Sequence, residues 1–257
     1  MLEDEQDNPD DHRLAHELAD QAASRLLTLQ KESAAVGRNR WETEKDGDRS
    51  SHLWLIDKLA AARPNDTLFS EEGNDDLGRL KASRVWIIDP LDGSASFGVG
   101  TPEWAVHVAL VIDGVAEVGA VGSPGVGEVV STYRPSTPPS TEGRTPIIVT
   151  GRTRAFNDGQ WLAHALEGEL VACSSAGFKS ALVATGAADV YVHDSPLYEW
   201  DVAGPAAMAK ASGLDVSGAA GEPLVFNKAR PVVESLVITR PHLTEAVLAS
   251  LSERRSG

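Results

Sequence analysis

Apolar residues recur at helical spacing through the first part of the chain. Leu14, Leu18, Ala22, Leu26 and Leu29 fall three or four residues apart within about 11–33, which predicts an amphipathic helix. A polar loop follows, ending in Lys45-Asp46-Gly47-Asp48. Leu53, Ile56, Leu59 and Ala60 then mark a second helix over about 49–62, broken at Pro64-Asn65-Asp66. Beyond that the pattern changes to short apolar runs, which read as strands at 67–70 and 85–88 with a short helical segment, 75–81, between them. Strands at 104–112, 115–123 and 128–134 complete an antiparallel meander, with Asp113-Gly114 as a hairpin turn. Two helices and a meander predict an α+β lobe over 1–134.

Residues 134–146 are rich in Pro, Ser, Thr and Gly and form the best candidate for a boundary between lobes. Strands and helices alternate after it. Strands are expected at 146–150, 170–174, 190–193 and 236–239. Helices are expected at 159–166, 176–188, 201–211 (with Gly213 as its cap) and 243–251. This predicts an α/β lobe over 135–257.

Composition narrows the function classes. The 257 residues are 42% apolar and 24% charged, ordinary for a globular chain. A formal net charge of −15 argues against a broad basic surface for nucleic-acid polymers or anionic membranes. The one cysteine, Cys173, excludes an intrachain disulfide and reads as a small buried apolar residue rather than a catalytic thiol. No apolar run is long enough to span a membrane, and Met1-Leu2-Glu3-Asp4-Glu5 lacks the apolar stretch of a signal peptide. Residues 1–10 are acidic and expected to fray, and a cytoplasmic location is the expectation.

The candidate chemistry centres on Asp89-Pro90-Leu91-Asp92-Gly93-Ser94, at the end of the 85–88 strand. Pro90 has no N–H for a ladder, so the strand is expected to stop there. Two carboxylates three residues apart suit a hard divalent cation, and Gly93 lets backbone N–H groups approach phosphate oxygens. An Asx turn with two solvated acids is the alternative. Asp48, just before the second helix, Glu71 after a strand, and Asp201 at a helix start are further acids; Asp48 and Asp201 read equally well as helix caps. His52, His107 and His193 lack ligand-like spacing and read as structural.

Taken together, Gly47-Asp48, Ser70-Glu71-Glu72, Trp86-Ile87-Ile88-Asp89-Pro90-Leu91-Asp92-Gly93-Ser94 and Trp200-Asp201-Val202-Ala203-Gly204 resemble the motifs of the inositol monophosphatase superfamily, in order and spacing, over nearly the whole chain. The resemblance is strongest to its CysQ branch, the 3'-phosphoadenosine 5'-phosphate (PAP) phosphatases, on 68–72, 80–86, 104–110, Ser175-Ala176-Gly177-Phe178-Lys179 and Tyr198-Glu199-Trp200-Asp201. It implies an αβαβα sandwich and a lithium-sensitive, Mg²⁺-dependent phosphomonoesterase of sulfur assimilation, acting on a small phosphorylated metabolite.

The resemblance also implies roles. Glu71, Asp89 and the Leu91 carbonyl oxygen hold one Mg²⁺; Asp89, Asp92 and Asp201 hold a second; a weaker third ion lies near Glu71. Gly93 and Ser94 bind phosphate through backbone N–H groups. The Ser94 hydroxyl, linked to Asp48, activates the water. An all-oxygen ligand set suits Mg²⁺ rather than Zn²⁺. Ser175, Gly177 and Lys179 match a segment lining the substrate pocket, and Asp194 matches an acid that contacts the inositol ring. A helix cap with a surface lysine, and a turn at 194–196, are their alternative readings. Ser94 stands where the family usually has threonine, and residues 95–100 depart from the CysQ pattern, in which a basic residue often appears. Other readings are an inositol-1-phosphate or fructose-1,6-bisphosphate phosphatase, and an inactive regulatory homologue. A haloacid-dehalogenase-type mechanism wants two acids two residues apart, unlike Asp89 and Asp92. A homodimer follows from the family by analogy alone.

Overall fold

The computed structural model describes residues 9–75, 77–152 and 156–256. The fraying expected at residues 1–8 lies outside them; residues 9 and 10 are already helical. Helix α1 spans Pro9–Ala35 and α2 spans Arg40–Ala62. Helix α2 therefore starts nine residues before the expected 49. Asn39 caps it by accepting the Glu42 N–H at 3.0 Å. The buried stripe of α2 is Thr43, Gly47, Ser51, Leu55 and Leu59, every fourth residue. Its first three members are small or polar, so hydrophobicity alone does not mark the first two turns.

The first sheet contains β1 (Thr67–Ser70), β2 (Arg84–Asp92), β3 (Ala105–Ile112), β4 (Val115–Ser123) and β5 (Glu128–Ser131), hydrogen-bonded in that order. Strands β2 to β5 form the expected antiparallel meander, but β1 is parallel to β2. Only a 3₁₀ turn at Gly78–Lys81 replaces the helical segment expected over 75–81. Strand β2 also does not stop at Ile88. It runs through Pro90 to Asp92, with a register shift between Asp89 and Asp92 against β3. A bulge accommodates the proline, whose missing N–H removes a ladder bond.

After the short helix α3 (Ser94–Gly98) and the irregular 132–146 segment come β6 (Ile147–Thr150), α4 (Phe156–Ala165), β7 (Glu169–Ala172), α5 (Ala176–Thr185) and β8 (Val190–His193). Then follow β9 (Leu197–Tyr198), α6 (Glu199–Ala211), β10 (Asp215–Ser217), β11 (Val232–Val233), β12 (Leu236–Thr239) and α7 (Thr244–Ser256). The second sheet has the order β10-β12-β8-β6-β7, and β9 pairs with β11 as a separate ribbon.

Three apolar clusters stack these elements into five layers. Leu18, Leu26, Leu55 and Leu59 of α1 and α2 pack on Trp86, Ile88, Val108 and Leu110. The opposite face of that sheet, with Ile87, Ala109 and Val111, shares a cluster with α5, α6 and the second sheet through Ala181, Val202, Met208, Tyr191 and Ile238. Ile148, Val190 and Val237 on the far side meet Leu162 of α4 and Val247 and Leu251 of α7. The fold is an αβαβα sandwich. No helix among the described residues is long and apolar enough to cross a membrane.

Candidate active site

The parallel pairing of β1 with β2 aligns their carboxyl ends. Ser70 lies opposite Ile88, and the Glu71 N–H donates to the Ile88 carbonyl at 3.2 Å, which sets Glu71 beside Asp89. Asp89 is buried, and its Oδ1 accepts the Leu91 N–H at 3.0 Å. Ser51 of α2 donates to the Pro90 carbonyl at 2.8 Å and pins the loop from the other side. Gly93 has φ 87°, and a Cβ there would lie 2.8 Å from the Glu103 carbonyl oxygen and 3.1 Å from Ser175 Cβ, so both conformation and space require glycine. Ser94 opens α3 directly after it.

Asp92 and Asp201 approach from different layers. Asp201 lies in the first turn of α6, and its Oδ2 accepts the Tyr198 N–H at 2.9 Å. Asp92 Oδ2 accepts the Ser175 hydroxyl at 2.6 Å and the Gly177 N–H at 2.7 Å. The expected pocket residues Ser175 and Gly177 thus meet Asp92 through the start of α5. His107, which the sequence reads as structural, lies within the acid cluster. It lies opposite Asp89 in the β2–β3 register, fully buried, with Nε2 3.2 Å from Asp92 Oδ2. That contact is close but bent away from hydrogen-bond geometry. Its Nδ1 sits 3.0 Å from the Trp200 carbonyl, one residue before Asp201. Asp89, Asp92 and His107 present ligand atoms that all lie within 4.8 Å of one another. The available signal was that His107 is the only polar residue in the 105–112 strand.

The acids shift one another strongly. Burial, then the charges of Asp92, Glu71 and Asp201, push Asp89 well above the usual carboxylate range. Burial and the Asp92 charge push Asp201 up to about 7. Burial also raises Glu71, against the opposing effect of its contact with Asp89. Asp92 is the exception: burial acts to raise it, but His107 and the charge of Lys179 hold it below the usual range. Burial acts to lower His107, and its contacts with Asp92 and the Trp200 carbonyl outweigh this and raise it. Carboxyl groups forced toward protonation by burial, and then by one another's charge, fit a hard divalent cation, which relieves that repulsion.

The remaining expected residues fall in varied places. Asp48 lies inside α2, not before it, so it is no helix cap. Burial, then the charges of Glu72, Glu71 and Glu44, push it up to about 7. The expected Ser94–Asp48 hydrogen bond is not formed among the described residues. Their elements pack instead through Gly47, where a Cβ would lie 2.7 Å from Phe97 Cε1 and 2.8 Å from Leu91 Cδ2. A cleft of about 490 Å³ opens beside Asp48, lined by Trp41, Lys45, His52 and Glu72 among others. Lys179 is not a surface lysine. It is buried, with Nζ donating to the Ser175 carbonyl at 2.5 Å and lying 5.1 Å from the Tyr191 ring centre. The Asp194 carboxylate forms an ion pair with Arg255 of α7. Arg152, which sequence reasoning missed, pairs with Glu103 and donates to the Ser174 hydroxyl at 2.8 Å, on the rim beside Gly93.

The chain is similar to known proteins over almost its whole length. The model of the inositol monophosphatase family matches residues 12–256. A protein of Mycobacterium bovis named 3'-phosphoadenosine 5'-phosphate phosphatase is 37% identical over 226 residues, 83% of each chain. A Mycobacterium leprae protein of the same name is 36% identical over 257 residues, 95% of this chain and 94% of the relative. The crystal structure of CysQ from Bacteroides thetaiotaomicron superposes with a TM-score of 0.73 at 24% identity, over 90% of this chain and 97% of that one, and shares its fold. With the family model covering almost all of the five-layer sandwich and its acid cluster, the chain belongs to the inositol monophosphatase family.

Proposed function

We propose that the protein is a Mg²⁺-dependent phosphomonoesterase that removes the 3'-phosphate of PAP, giving AMP and phosphate. The observation that carries this reading is the shared name of the two mycobacterial relatives, each matched over most of the chain. The geometry supports the chemistry. Glu71, Asp89 and the Leu91 carbonyl oxygen would hold one Mg²⁺, and Asp89, Asp92 and Asp201 a second, with a third near Glu71. When bound, these ions supply charge neutralisation at the phosphate and acidify a water. The chain's own groups do the rest. The N–H groups at Gly93 and Ser94 receive phosphate oxygens. Asp48, pushed up to about 7 by burial and neighbouring acids, accepts the proton of the attacking water, with the Ser94 hydroxyl as its guide. Buried Lys179 holds the Ser175 carbonyl and so the start of α5, from which Ser175 and Gly177 orient Asp92.

The test is phosphate release with Mg²⁺ from PAP, inositol-1-phosphate and fructose-1,6-bisphosphate, compared as kcat/KM in one assay. PAP is expected to be hydrolysed fastest. Preference for either sugar phosphate overturns the nucleotide assignment, and no release from any of them overturns the enzyme reading.

A further inference from the structure

We propose that His107 is a positioning residue for the acid cluster, one that locks the Asp92 carboxylate with Oδ2 turned inward and Oδ1 left for a cation. The proposal rests on the metal-phosphatase reading and adds to it a residue from outside the family's acid motifs.

Three contacts converge on Asp92 Oδ2: the Ser175 hydroxyl at 2.6 Å, the Gly177 N–H at 2.7 Å and His107 Nε2 at 3.2 Å. No hydrogen bond to Oδ1 is formed among the described residues. Two of the three partners belong to the start of α5. His107 alone comes from β3, the strand paired with the one that carries Asp89 and Asp92. Its other nitrogen reaches the Trp200 carbonyl at 3.0 Å, next to Asp201 in the first turn of α6. A single buried ring therefore links Asp92 on β2 to the backbone of α6 at Trp200, the residue before Asp201.

The fit of the ring is tight. A Cβ on Gly177 would lie 2.0 Å from His107 Nε2, so glycine at 177 makes room for the imidazole as well as presenting its N–H to Asp92. A Cβ on Gly204 would lie 3.2 Å from His107 Cβ, closing the other side. A ring with one position available, held at the Trp200 carbonyl and set against Asp92 Oδ2, fixes where the Asp92 carboxylate points.

The side-chain nitrogens can be separated by substitution. His107→Gln carries an amide N–H to the place of Nε2 and keeps the Asp92 contact. His107→Asn carries one to the place of Nδ1 and keeps only the Trp200 contact. His107→Leu removes both. Mn²⁺ binding, followed by loss of the free-ion electron paramagnetic resonance signal, reads the site without turnover. Positioning predicts binding weakened about tenfold or more in the Leu and Asn variants and held within about threefold in Gln. The Mg²⁺ concentration for half-maximal phosphate release should shift in the same order. Unchanged binding in the Asn variant, or equal behaviour of Gln and Asn, overturns the proposal. So does tighter binding in Leu, which would mean that the ring crowds the cation and does not orient its ligands. If Leu does not fold by circular dichroism, the Gln and Asn pair decides. Wild-type protein that binds no Mn²⁺ overturns the metal-phosphatase reading itself, a result distinct from any difference among variants.

Discussion

Asp201→Asn should stabilise the metal-free protein while abolishing turnover. Asp201 is pushed from an ordinary 3.8 up to about 7 by burial and the Asp92 charge, so above pH 7 its ionisation opposes folding. At 1.36 kcal/mol per pH unit, the ceiling on that penalty is roughly 4 kcal/mol. Asp201 is partly solvent-exposed and the cluster relaxes, so about 1–2 kcal/mol is the working figure. The sign follows from the raised value. The penalty is absent below the unfolded value, grows as pH rises from about 4, and is complete above about 7. Asparagine removes the charge and keeps a side-chain oxygen for the Tyr198 N–H, which now donates at 2.9 Å. Thermal unfolding in EDTA at pH 8 should therefore show a melting temperature about 2–8 °C higher than wild type. At pH 4 about one third of the gain should remain. With Mg²⁺ present the order should invert, because wild type gains binding energy that the variant lacks. An unchanged or lower melting temperature in EDTA at pH 8, or a gain equal at both pH values, would refute the electrostatic account.

Three further outcomes are expected. Asp48→Asn should lower kcat by about 10²-fold or more while leaving Mn²⁺ binding within a few-fold of wild type; near-normal turnover would remove Asp48 from proton transfer. Gly47→Ala adds a Cβ 2.7 Å from Phe97 Cε1 and 2.8 Å from Leu91 Cδ2. Overpacking of about 1–3 kcal/mol outweighs the roughly 1 kcal/mol that alanine gains in a helix, so urea unfolding should show a net loss. Asp11→Ala leaves Arg63 and Arg84 without the buried carboxylate they reach at 2.6 and 2.9 Å, and should destabilise by about 3 kcal/mol with turnover at 25 °C unchanged. A loss under 1 kcal/mol would mean that the two arginines repartner freely.

Local pattern determined much of this protein. The strands at Thr67–Ser70, Val115–Ser123, Val190–His193 and Leu236–Thr239 lie where apolar runs between turn signals placed them. The Asp113-Gly114 turn has φ of 48° and 85°, as a tight hairpin requires. The acid motifs were legible because their order and spacing follow a family pattern. The first turns of α2 were not legible, because Thr43, Gly47 and Ser51 form its buried stripe and only the packed partners Leu91 and Phe97 reveal it.

Tertiary structure decided which polar residues became part of the site. The parallel pairing of β1 with β2 brought Glu71 beside Asp89, and the β2–β3 register set His107 opposite it. Packing of α5 between two sheets buried Lys179, and α7 supplied Arg255 to Asp194. Each of these depends on a partner far away in the chain. A histidine or lysine has the same local propensities whether its neighbour in space is water or a carboxylate. Only the stacking of layers chooses between them, because burial and charge act through space and leave no periodic trace along the chain.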